Sequence, residues 1–199
     1  MNTHAIITGT IAQLLVVAIY ITTVSGYCSS PSPCASYPNQ VPEYYWRDYV
    51  GIIPEDAVEG GTDESGAPTY VGQTYIREYG LLPAIVFRGC RTVNTTAQDK
   101  AVTSDTNIKI LCGKYKTRFQ WVPTRDEDLH LLTGRHFIVG GSEVGQALYI
   151  GRVNYDNRVI IGKFFMNPPL SKFGLAIPYQ GKPVNVHSFE VLTYNVYYN

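Results

Sequence analysis

The sequence predicts an all-β fold made of two tandem repeats. Three observations lead there. Eighteen Gly, twelve Pro and sixteen Tyr, against two Met, make a composition rich in turn formers and aromatic strand formers. The apolar residues fall in runs of four to seven broken by Gly, Asn, Asp and Pro, and no 11-residue window keeps a helical period. Short segments also recur in order at separations of 75–80 residues.

The 199 residues are 45% hydrophobic, which excludes a disordered tail. Sixteen Lys+Arg balance sixteen Asp+Glu. A net charge of zero provides no long-range field to gather phosphate backbones or anionic lipid, so a nucleic-acid partner is not expected.

The first element is a leader. Residues 1–26 hold no Lys, Arg, Asp or Glu, run almost wholly apolar from Ala5 to Val24, and end in Val24-Ser25-Gly26, small residues suited to signal-peptidase cleavage. A run of that length also suits a membrane anchor, but no Lys or Arg flanks it to set an orientation. The expectation is a signal peptide and a secreted, extracellular product without membrane attachment. Residues 27–45 hold four prolines and one charge, Glu43, and read as an extended, poorly packed lead-in.

Secretion gives the four cysteines a meaning. An even number in an oxidising compartment reads as disulfides, and three pairings are open. The pairing expected is Cys28–Cys34, closing a small Ser/Pro loop, and Cys90–Cys112, closing a long one. No paired C-x-x-C spacing is present, so no metal is expected. Asn94-Thr95-Thr96 is a glycosylation sequon in that long loop, where a surface position is expected.

From Trp46 onward the apolar runs read as strands at 70–76, 84–87, 108–111, 135–139, 147–153, 159–165 and 189–194. The repeats emerge across them. Trp46 is echoed by Trp121, Gly60-Gly61-Thr62-Asp63 by Gly140-Gly141-Ser142-Glu143, and Tyr70-Val71-Gly72-Gln73 by Tyr149-Ile150-Gly151-Arg152. Leu82-Pro83-Ala84-Ile85-Val86 is echoed by Ile160-Ile161-Gly162-Lys163-Phe164. The repeats are placed at 46–115 and 116–199. Each is too short to bury a large core alone, so two packed as a pseudo-twofold pair are expected.

At these residues the chain resembles the DM9-repeat family. Gly51-Ile52-Ile53-Pro54-Glu55-Asp56-Ala57-Val58-Glu59-Gly60-Gly61-Thr62-Asp63, followed by Pro68-Thr69-Tyr70-Val71-Gly72, is similar to the first half of that repeat, G-x-I-P-x-x-A-V-x-G-G-x-D and then L-Y-V-G-R. Tyr179-Gln180-Gly181-Lys182 and Phe189-Glu190-Val191-Leu192 resemble its closing Y-G-G-K-E-H and Y-E-V-L. The resemblance implies a β-only fold of paired repeats and, from the family's best understood members, mannose-binding lectins of invertebrate innate immunity. It implies glycan partners on microbial or host surfaces and is compatible with a homodimer.

The resemblance also implies a site. The lectin members use the Asp of G-G-x-D with the Lys of P-G-K in one repeat. A carboxylate accepts two sugar hydroxyl hydrogen bonds while an ammonium donates to a ring or hydroxyl oxygen. Here the first repeat has Asp63 but Ile85 at the Lys position, and the second has Lys163 with Glu143 at the Asp position. The ligand-binding candidates are therefore Glu143, Lys163 and, more weakly, Asp63, which also suits a plain hairpin turn. An Asp63–Lys163 site across the repeats is the variant. Among the tyrosines, Tyr70 and Tyr149 are expected to pack between the halves, and Tyr75, Tyr79 and Tyr155 to lie on a rim. No catalytic residue or cofactor is expected: G-x-S-x-G, H-E-x-x-H, the P-loop and G-x-G-x-x-G are all absent.

Overall fold

The computed structural model describes residues 42–196. The expected signal peptide, Cys28, Cys34 and residues 27–41 lie outside the described residues. The first half carries β1 (Tyr44–Asp48), β2 (Glu59–Thr62), β3 (Pro68–Ile76), β4 (Gly80–Phe87), β5 (Val93–Ala97), β6 (Lys100–Ser104) and β7 (Ile108–Gly113). The second carries β8 (Phe119–Arg125), β9 (His136–Phe137), β10 (Val139–Glu143), β11 (Gln146–Tyr155), β12 (Arg158–Phe165), β13 (Leu175–Tyr179), β14 (Lys182–Val186) and β15 (Ser188–Tyr194). Short 3-10 turns at Lys116–Arg118, Asp126–Leu131 and Leu170–Phe173 are the helical elements among the described residues. The fold is all-β and antiparallel.

Strand registers show that the halves are one pattern used twice. Gly72 on β3 faces Ile110 on β7, as Gly151 on β11 faces Val191 on β15. Trp46 on β1 then faces Leu111, and Trp121 on β8 faces Leu192. Val71 pairs with Ile85 as Ile150 pairs with Lys163, which makes Ile85 and Lys163 structural equivalents. Gly61 sits opposite Thr69 and Gly141 opposite Leu148, each just after a bulge. These are the echoes read from the sequence, in register. Two repeats with pseudo-twofold symmetry are what the chain folds into.

The halves interlock through their Gly-Gly strands. Ser142 of β10 pairs with Leu81 of β4, and the Val159 N–H of β12 donates to the Thr62 hydroxyl at 3.1 Å. A Cβ on Gly61 would stand 1.9 Å from the Val159 carbonyl oxygen, and one on Gly141 2.0 Å from the Leu81 carbonyl oxygen. Only glycine lets each β2-type strand lie this close to the opposite half. The core agrees: Val58, Val71 and Ile85 from the first half share one buried cluster with Ile150, Ile161, Phe164 and Val191 from the second.

Four expectations are corrected by this structure. Tyr44 and Tyr45 belong to β1 rather than to a loose lead-in, and Tyr44 packs edge-on against Tyr194 with ring centroids 5.2 Å apart. Cys90 and Cys112 are free thiols, not a disulfide. Cys112 ends the apolar run of β7 with its side chain sealed in the first-half core, where burial pushes its thiol up to about 11, whereas Cys90 is exposed in the turn after β4. Asn94 lies not in a loop but inside β5, between β4 and β6, with Thr95 and Thr96 buried. Tyr70 packs within its own half's core, its hydroxyl accepting from Arg88 at 2.9 Å, whereas Tyr149 does pack on the cluster the two halves share, against Phe137 and Phe164.

Candidate functional site

The repeat pattern creates two equivalent pockets, and each draws on both halves. In the second-half pocket, of about 460 Å³, the end of β10 supplies Glu143 and the middle of β12 supplies Lys163. The opposite wall is the β5–β6 turn of the first half, Gln98-Asp99. In the first-half cleft, of about 520 Å³, Asp63 follows β2, Ile85 comes from β4, and the opposite wall is the β13–β14 turn of the second half, Gln180-Gly181. The two turns are equivalents, since Ala97 pairs with Lys100 as Tyr179 pairs with Lys182.

Glu143 and Lys163 meet. The Lys163 ammonium donates to Glu143 Oε2 at 2.6 Å, and the backbone N–H of Gln98 donates to Glu143 Oε1 at 2.8 Å. The Lys163 side chain is only 3% exposed and that of Glu143 4%. Both carboxylate oxygens therefore have a donor, one of them sent across from the first half. Burial holds the lysine ammonium below its ordinary value, against the carboxylate, whose hydrogen bond and charge raise it. A desolvated ion pair like this is expensive relative to an apolar filling.

Asp63 is elsewhere and occupied. Its Oδ1 accepts from the Ser65 N–H at 2.8 Å, the Ser65 hydroxyl at 2.7 Å and the Ala67 N–H at 3.0 Å. The Ser65 hydroxyl is the main cause that holds this carboxyl below the usual carboxylate range. It is the turn residue its Thr-Asp-Glu-Ser-Gly context suggests. Ile85 is buried in the core cluster. Asp63 and Lys163 line different pockets, so the structure does not bring the cross-repeat variant together.

Other residues enter the sites that sequence reasoning did not single out. Val144, Phe173 and Asn185 line the second-half pocket. Arg158 and Tyr179 line the first-half cleft, the Arg158 guanidinium 5.1 Å from the Tyr179 ring and bonded to Glu64 at 2.5 Å. Gln98 had a detectable signal: Ala97-Gln98-Asp99-Lys100 stands where the second repeat has Tyr179-Gln180-Gly181-Lys182. Among the rim tyrosines, Tyr75 is exposed, Tyr79 is half-buried, and Tyr155 packs edge-on against Tyr179 at 4.9 Å.

A solved structure, that of the nematode sperm cell motility protein MFP2B, is similar in fold, with a TM-score of 0.55 at 15% sequence identity. The similarity covers 77% of this chain and 47% of that one, so this chain spans about half the length of that relative. No curated protein matches the sequence. A family model described as DM9 repeat matches residues 76–186, more than half of the chain and parts of both halves, and the chain therefore belongs to the DM9 repeat family.

Proposed function

We propose that this chain is a secreted carbohydrate-binding protein that holds neutral, mannose-type glycans reversibly in its second-half pocket. One observation carries the reading: a buried, hydrogen-bonded Lys163–Glu143 pair that lines a pocket of about 460 Å³. Folding alone does not call for that pair, because the equivalent position in the first half is filled by Ile85. The pair is neutral as a unit, which suits an uncharged ligand. An ammonium has three protons and Glu143 takes one, so Lys163 can donate to sugar oxygens, while Glu143 accepts from sugar hydroxyls on its remaining lone pairs. The action is binding, with no bond made or broken.

The test is calorimetry with mannose and mannan on the full secreted chain. Replacing Lys163→Met together with Glu143→Gln removes the charges without stranding either one. The expected loss is ten- to a hundredfold in affinity, the worth of one charge-assisted hydrogen bond of about 1.5–3 kcal/mol. Unchanged affinity in a folded double variant would place the sugar elsewhere.

A second reading has its own support. Asp63 is committed to its turn and Ile85 stands in place of a cation, so the first-half cleft lacks the pair entirely. One solved structure of similar fold is described as a sperm cell motility protein. A secreted protein-interaction or structural module without sugar binding fits both points. A glycan array without any signal would favour it.

A further inference from the structure

The second-half pocket has a charged centre and an apolar mouth. Val144 and Phe173 line it and are 77% and 55% exposed, with Leu170 and Pro183 beside them. Val144 is held in place at a cost. It is the first residue of the two-residue turn Val144-Gly145 between β10 and β11, with φ of +51° and +73° at the two positions. Such turns favour Asn-Gly, and a β-branched residue in the left-handed region is an outlier. No buried packing offsets that strain, because the side chain faces solvent. Strain kept at the rim of a pocket is a mark of a binding surface. In the first half the corresponding loop spans residues 63–67, and polar Glu64 stands where Val144 does.

The ligand's chemistry can be read from these parts. An anionic head group would meet the carboxylates of Glu143 and Asp99 against a single lysine already bonded to Glu143, so the ligand is not an anion. A plain hexose offers hydroxyls to the centre and only its shallow C–H face to Val144 and Phe173. An acetamido group offers a methyl to that mouth, and a carbonyl and N–H to the exposed amide of Asn185 on β14. We propose that the second-half pocket prefers N-acetylated amino sugars to the parent hexoses, with ring hydroxyls on Lys163 and Glu143 and the acetyl methyl between Val144 and Phe173. This rests on the sugar-binding reading above and names its ligand class.

The experiment is titration of the full chain with N-acetylmannosamine and N-acetylglucosamine, each against mannose and glucose. The acetylated sugars should bind about three- to tenfold tighter, as expected for burying one methyl while the acetamide's hydrogen bond offsets that of the hydroxyl it replaces. Phe173→Ala and Val144→Asn should each bring that ratio down toward one. Val144→Asn should at the same time raise Tm by about 2–4 °C, because Asn accepts the turn's backbone. A lost preference in a more stable protein cannot be a folding defect. Equal affinities for acetylated and parent sugars would overturn the proposal while leaving sugar binding intact. A preference that survives Val144→Asn would overturn it as well. If none of the four sugars binds, both this proposal and the reading beneath it fall.

Discussion

The two halves fold the same backbone around opposite interiors. In the first, Ile85 gives an apolar centre, and the rim is polar, with Asp63, Glu64, Asn94 and Arg158. In the second, Lys163 and Glu143 give a charged centre, and the rim is apolar, with Val144, Leu170 and Phe173. The contrast separates what the fold needs from what it merely carries. Both copies keep the glycines, the register and the crossing turn. The centre is free to differ, so long as it is filled and its polar atoms are paired.

The largest expected effect tests the shared part. Gly61→Ala and Gly141→Ala each drive a Cβ into a backbone carbonyl of the other half, so each should cost more than about 4 kcal/mol and abolish cooperative unfolding. Circular dichroism melts would check it; one tolerated and the other lethal would mean that the halves are not interlocked alike.

Next comes the charged centre. Lys163→Ile copies the first half but strands Glu143, and should cost about 3–5 kcal/mol in denaturant unfolding. Adding Glu143→Gln keeps an acceptor for the Gln98 N–H, and should recover most of that loss or exceed the parent. The converse swap, Ile85→Lys, should destabilise rather than create a second site, because the Oδ1 of Asp63 is already taken by Ser65 and Ala67.

A gentler probe is pH. The folded-state value of Lys163 lies below the ordinary 10.5, so the folded chain binds fewer protons than the unfolded one between those two values. Stability of the parent relative to the Lys163→Met, Glu143→Gln double variant should therefore rise with pH across that window, and the lysine's penalty is complete below it. A flat or falling difference would contradict the burial of the ammonium. The smallest effect belongs to the first-half turn. Asp63→Ala should lower Tm slightly by removing three accepted hydrogen bonds, and leave ligand affinity unchanged. In the same preparations iodoacetamide should label Cys90 well before Cys112, which mass mapping would show.

How much of this was legible follows from what holds each part. Strands β3, β11 and β12 announce themselves because they bury long apolar runs. Strands β2, β5 and β14 read EGGT, VNTTA and KPVNV, and are strands because neighbours pair with them, which no local pattern encodes. Glu143 and Lys163 were legible because the family resemblance pairs an acid with a lysine at positions the repeats align, yet nothing in the sequence says that the pair would be buried. Val144 and Phe173 carried no signal, since an exposed apolar residue is ordinary until a pocket is found beside it. The Cys90–Cys112 pairing rests on compartment alone, and the structure instead extends the expected strand at 108–111 so that Cys112 is drawn into the first-half core.

The crossing turn has one more consequence. Each pocket takes most of its wall from one half and a smaller part, including a hairpin turn, from the other, the same reciprocal exchange that a twofold dimer makes between identical subunits. In a dimer of single repeats every substitution appears at both sites at once. Joined in one chain, each position is written separately, so a lysine can stand at 163 while isoleucine stands at 85. Covalent linkage thus turns an enforced symmetry into a choice, and one molecule can hold two pockets of different chemistry on a single scaffold.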